Sequence, residues 1–158
     1  MKNLTSAFSL FDAIYCINLD TATERWETVQ AEFARIGISE QVIRFPAIAS
    51  PDPGLGCYLS HRTLMEMAGV AGYQNILIFE DDIAFDLNQT ETFLASLEAL
   101  QTTQWDIFYP GSTWFLEDFP AVFPQKNLLR IIGCRSNHAT AYSRKAYKKI
   151  LAHLPAEI

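Results

Sequence analysis

Short apolar runs alternate along this chain with segments whose apolar residues recur at helical spacing, and that alternation restricts the fold more than any single residue does. The runs at residues 13–19, 42–45, 75–79 and 105–109 read Ala-Ile-Tyr-Cys-Ile-Asn-Leu, Val-Ile-Arg-Phe, Asn-Ile-Leu-Ile-Phe and Trp-Asp-Ile-Phe-Tyr. Nearly unbroken apolar character over so few residues marks strands covered on both faces, as in a parallel sheet between helices. After the first run, Trp26, Val29, Phe33 and Ile36 share one helical face, and Gly37 supplies a stop. The sequence from Thr21 to Glu24 reads as a capping box for that helix. Asn88 to Glu91 reads as another, ahead of the stripe Phe93, Leu94, Leu97 and Leu100. Residues 50–56 carry two prolines and two glycines and read as a loop, so the next helix is expected over residues 57–68. Strand-like runs at 128–132 and 138–142 precede a last helix at 144–154. The expectation is an α/β fold with a mainly parallel sheet flanked by helices, in one domain spanning residues 1–158.

A net charge of −6 argues against a nucleic-acid partner, whose electrostatic footprint would be basic. Cys16, Cys57 and Cys134 form no CxxC pair, so they read as buried packing thiols in a reducing compartment. No apolar run approaches the ~20 residues of a membrane span, and the N-terminus lacks the apolar core of a leader peptide. A cytoplasmic protein is expected, with peripheral attachment to an inner membrane as the variant of that reading.

Sheets of this kind bind ligands beyond the carboxyl ends of their strands. Three polar clusters fall at those ends: Asn18, Leu19 and Asp20; Glu80, Asp81 and Asp82; and Pro110, Gly111 and Ser112. Adjacent carboxylates repel one another, and their position directly after Ile-Leu-Ile-Phe is costly unless a cation compensates. In an extended segment Glu80 and Asp82 would project to the same side. Such oxygen ligands suit Mg²⁺ or Mn²⁺, which complete their shells with substrate phosphates. A solvated turn or a set of capping acids is the alternative. Residues 112–125 show no period but carry Trp114, Phe115, Phe119 and Phe123 around Glu117 and Asp118. Aromatic faces beside acids suit a sugar ring; a hydrophobic flap over the core is the competing reading.

Several segments together resemble glycosyltransferase family 25, which contains bacterial lipooligosaccharide galactosyltransferases and collagen galactosyltransferases. They are Ile17-Asn-Leu-Asp20 with Glu24 and Arg25; Gly56 and Cys57 with Ser60 and His61; Ile76-Leu-Ile-Phe-Glu-Asp-Asp-Ile83; Trp105-Asp106 followed by Gly111; and His138-Ala-Thr-Ala-Tyr-Ser-Arg144. The resemblance implies a GT-A-like, Rossmann-related fold and a metal-assisted, inverting transfer of a hexose, often galactose. The donor implied is a UDP-sugar and the acceptor a saccharide or glycolipid such as lipooligosaccharide. It places Asn18, Leu19, Asp20, Arg25, Ser60, His61, Glu80 and Asp81 at the donor. Asp82 and Glu80 would bind Mn²⁺ or Mg²⁺, with His138 as a further candidate ligand. For His61 a core histidine held by a backbone carbonyl, and for Arg25 a simple pair with a nearby acid, remain open. Candidate general bases are Asp106, Glu117 and Asp118. Two departures stand out: the chain stops at Ile158 where many relatives continue into the acceptor side, and Thr140 stands where the family has tyrosine. Competing readings are a catalytically degenerate donor-binding module, a receiver-like signalling domain, and a nucleotide-sugar hydrolase.

Overall fold

The structure is a computed structural model that describes residues 4–111, 114–115, 122–125, 127–131, 134–135 and 138–153. The chain runs α1 (Leu4–Ala7), β1 (Ala13–Asn18), α2 (Thr23–Ile36), β2 (Val42–Pro46), α3 (Pro53–Ala71), β3 (Asn75–Glu80), α4 (Thr90–Gln101) and β4 (Ile107–Gly111). Short strands β5 (Trp114–Phe115), β6 (Val122–Gln125), β7 (Leu128–Arg130) and β8 (Cys134–Arg135) follow, then β9 (Ala139–Ser143) and α5 (Arg144–His153).

All six residues of β1 are buried, because helices cover both sides of the sheet. The pleat sends alternate residues to opposite faces. Ile14, Cys16, Leu77 and Phe79 join Val29, Phe33 and Leu97 in one core, under α2 and α4. Ala13, Tyr15, Ile17, Ile76 and Ile78 join Leu64, Met65, Ala68 and Tyr147 in the other, under α3 and α5. The result is a Rossmann-like α/β architecture.

The main sheet has the order β2-β1-β3-β9-β4. β1 pairs in parallel with β2 and β3, whereas β9 is antiparallel to both β3 and β4. Four strands therefore point one way and β9 is inserted against them, which refines the expected mainly parallel sheet. The carboxyl ends of β1, β3 and β4 share one rim with the start of β9: Ile17 is level with Glu80, and Gly111 with Ala139. The stretch read as aperiodic, residues 112–125, contributes β5 and β6, which pair antiparallel with β8 and β7 further along the chain.

Helix boundaries correct three expectations. Neither proposed capping box forms: α2 and α4 begin after Ala22 and Gln89 with no side-chain cap. Helix α3 starts at Pro53, four residues before the expected Cys57. Asp52 caps it by accepting from Gly54 and Leu55 N–H, and proline is favourable in a first turn where its missing donor costs nothing. The stop at Gly37 is as read: its φ of 77° is left-handed, and Ile38 N–H closes back onto Phe33 O at 3.0 Å.

Gly56 is needed for a different reason. A Cβ there would lie 2.6 Å from the carbonyl oxygen of Ile48, so the helix could not approach the segment after β2. Ser60 completes that junction, accepting from Ile48 N–H and donating to Gly56 O, both at 2.8 Å. Gly56→Ala is expected to cost about 1–3 kcal/mol by forced displacement of packed backbone. Urea unfolding would read this as a lower midpoint at unchanged slope.

Candidate functional site

Extended geometry ends at Glu80. Residues 81–82 form a turn, closed by Ile83 N–H to Glu80 O at 3.3 Å. The strand alternation that would align Glu80 with Asp82 therefore stops, and the three acids face three different partners.

Asp81 is held from the β1 side. Asn18 Nδ2 donates to its Oδ2 and Arg25 Nη1 to its Oδ1, each at 2.7 Å. Asn18 itself is 1% exposed. Its amide also donates to Ala22 O at 3.1 Å and accepts from Arg44 Nε and Nη2 at 3.0 and 2.8 Å. Arg44, on β2, further pairs with Asp20 at 2.9 Å and lies 5.3 Å from the ring centre of Trp26, a cation–π contact. Arg25 thus pairs with an acid, as its alternative reading had it, yet its side chain stays 58% exposed.

Glu80 faces α3, as Ile76 and Ile78 on its side of the strand require. Cys57 Sγ donates to Glu80 Oε1 at 3.4 Å, and His61 Nε2 lies 3.9 Å from the same oxygen. Burial, then the neighbouring carboxylate, push the Cys57 thiol up to about 11, so it is no thiolate nucleophile at neutral pH. His61 is buried, and its Nδ1 meets Tyr142 Oη at 3.2 Å rather than a backbone carbonyl. Asp82 turns toward β9, where its Oδ1 lies 3.1 Å from His138 Nδ1; both side chains are partly open to solvent.

The structure therefore gathers Asn18, Asp20, Arg25, His61, Glu80, Asp81, Asp82 and His138 on one rim, with the partly exposed Leu19 between Asn18 and Asp20. Ser60 is fully buried with its hydroxyl engaged in the α3 junction, so it builds the scaffold. Asp106 is a correction. It precedes β4, its carbonyl accepts from Ser143 N–H, and Ser143 is level with Asn75 at the far end of β3. At ~3.3 Å per residue that end is roughly 16 Å from Glu80. Asp106 is instead paired with Lys145 and Lys149. Glu117, Asp118 and Ser112 lie outside the described residues.

Sequence reading missed Arg44 and Cys57. Arg44 sat unremarked in an apolar run. Cys57 and His61 stand four residues apart on one helix, a spacing that places both side chains on one face and would have signalled the pairing. Among the described residues, Cys57, His61 and Glu80 are the one group whose ligand atoms all lie within 4.8 Å of one another.

A family model described as "Glycosyltransferase family 25 (LPS biosynthesis protein)" matches residues 51–115, the stretch from the α3 cap through the acidic turn to β5. The human protein named inactive glycosyltransferase 25 family member 3 is 26% identical over 130 residues, covering 64% of this chain and 22% of that protein. A Drosophila melanogaster glycosyltransferase 25 family member is 28% identical over 148 residues, covering 75% of this chain and 24% of its own length. The chain thus spans about a quarter or less of the relatives it matches.

The raised Cys57 pKa has a measurable consequence. With the folded value near 11 against 9 for a free thiol, folding keeps the proton on. Its contribution to stability is full below pH 9 and lost as the pH rises through about 11. At pH 8 alkylation of Cys57 by iodoacetamide should run roughly a hundredfold slower than in the urea-unfolded chain, from thiolate fraction alone. Peptide mass mapping against time would check it; equal rates would contradict the buried, carboxylate-paired thiol.

Proposed function

We propose that the chain is a member of glycosyltransferase family 25 and that it transfers a hexose, galactose foremost, from a UDP-sugar to a saccharide or glycolipid acceptor such as lipooligosaccharide. One observation carries the reading. Asp82 and His138 present a carboxylate and an imidazole at the strand rim, beside the exposed guanidinium of Arg25 and the charged group of Arg44. An anionic nucleotide needs such cations, and a divalent ion needs such ligands.

The donor set fits the implied metal: a carboxylate oxygen and an imidazole nitrogen, both partly exposed, suit Mn²⁺ with room left for phosphate oxygens. Mn²⁺ or Mg²⁺ bound there supplies charge neutralisation for the departing nucleoside diphosphate. Arg25 and Arg44 orient the donor's phosphates, Asn18 and Asp81 hold Arg25 and Arg44 in place, and Asp20 and Leu19 border the nucleotide. A carboxylate takes the proton of the attacking acceptor hydroxyl, and inversion needs only one such base. With Asp106 at the opposite end of the sheet, Glu117 and Asp118 between β5 and β6 are the remaining candidates. No helix among the described residues is long and apolar enough to cross a membrane.

A second reading, a donor-binding module without turnover, is favoured by one fact: the human relative is named inactive. The two readings part on acceptor-dependent release of UDP.

Mn²⁺ with UDP is expected to raise the melting temperature by a few degrees, more than with ADP or GDP, and Asp82→Asn should remove the Mn²⁺-dependent part. Differential scanning fluorimetry reads all of these. Equal shifts with every nucleoside diphosphate would remove the uridine donor, and an unchanged shift in Asp82→Asn would remove the metal assignment.

A further inference from the structure

We propose that Cys57, His61 and Glu80 form a site for a thiophilic divalent cation of the zinc class, separate from the Asp82–His138 pair. Helix α3 carries Cys57 and His61 one turn apart, and β3 brings Glu80 against both. The ligand atoms are already assembled: Cys57 Sγ is 3.4 Å and His61 Nε2 3.9 Å from Glu80 Oε1, and all three lie within 4.8 Å. A tetrahedral ion with bonds of ~2.0–2.3 Å holds its ligand atoms about 3.3–3.7 Å apart, so side-chain rotation suffices to close the shell.

An independent observation points into the same space. His61 is 5% exposed, and its Nε2 has no hydrogen-bond partner among the described residues. A buried ring nitrogen is seldom left idle, because it has lost water and gained nothing. The other nitrogen is held by Tyr142 Oη at 3.2 Å. In the tautomer that donates Nδ1–H to this hydroxyl, Nε2 keeps its lone pair free for the ion, the outer contact a ligating imidazole requires.

Ligand chemistry selects the metal class. Thiolate, imidazole and carboxylate together suit Zn²⁺ or Co²⁺, whereas Mg²⁺ and Mn²⁺ prefer sites without sulfur. Binding displaces the Cys57 proton to solvent as the metal–sulfur bond forms, and the two negative ligands then balance the dication. Three protein ligands leave a fourth position. Cys57 and His61 line a cleft of about 300 Å³ together with Tyr58 and Tyr142, so that position is reachable by water or a small ligand. Glu80 engaged here is withdrawn from the acidic turn. The inference holds whichever nucleotide, or none, binds at Asp82.

The test is a titration of the full chain with Co²⁺, followed by competition. The expected result is a near-ultraviolet thiolate-to-cobalt charge-transfer band that one equivalent of Zn²⁺ abolishes and excess Mg²⁺ leaves intact. Cys57→Ser should lose the band, Cys134→Ser should keep it, and Tyr142→Phe should weaken zinc by about 10- to 100-fold. In the unmodified protein, Zn²⁺ should protect Cys57 from alkylation, a readout that stands even if a variant fails to fold. Absence of the band, its survival in folded Cys57→Ser, displacement by Mg²⁺ as effective as by Zn²⁺, or unprotected Cys57 would each overturn the proposal.

Discussion

The side-chain amide of Asn18 sits where β1 ends, buried, with a carboxylate on one side and a guanidinium on the other. It donates to Asp81 and accepts from Arg44, both within 3.0 Å. Only a group that is donor and acceptor at once can bridge an anion and a cation without adding charge of its own. An apolar residue there would leave both charged neighbours short of a buried partner, which costs far more than the bond itself contributes. Through this joint the tip of β1 fixes the turn after β3, and the turn fixes the rest of the rim.

Adjacent carboxylates are tolerable here for a reason the bare sequence does not display. Asp81 is given to Arg25 and Asn18, Glu80 to Cys57 and His61, and Asp82 to His138. Part of the compensation expected from a bound ion thus comes from the protein's own donors. The ion proposed at Asp82 would then serve function more than folding.

Much of this was legible in the residues because burial on both faces leaves a plain mark. Residues 13–17 and 76–79 are apolar without a break, and they lie in two interior strands of the sheet. Gly37 announced its left-handed turn. Strand direction left no such mark: residues 139–143 look the same whether they run with β3 or against it, so the inserted antiparallel β9 could not be foreseen. The start of α3 was misplaced because proline and glycine weigh as breakers, although proline after a capping aspartate opens a helix. Asp106 was misassigned for a related reason, since β4 begins one residue later and leaves that side chain at the far edge. The grouping of Glu80 with Cys57 and His61 combines a local spacing with a long-range contact, and only the first half is written locally.

The account's central claim is that one rim of the sheet, held by Asn18, receives a nucleotide diphosphate through a metal at Asp82. A crystal soaked with manganese and UDP, examined for manganese anomalous scattering, tests it most directly. The account predicts an anomalous peak against the Asp82 carboxylate, bridged to the diphosphate, with Arg25 or Arg44 on the phosphates. Nucleotide bound away from this rim, or manganese absent from Asp82 while UDP is in place, would contradict it.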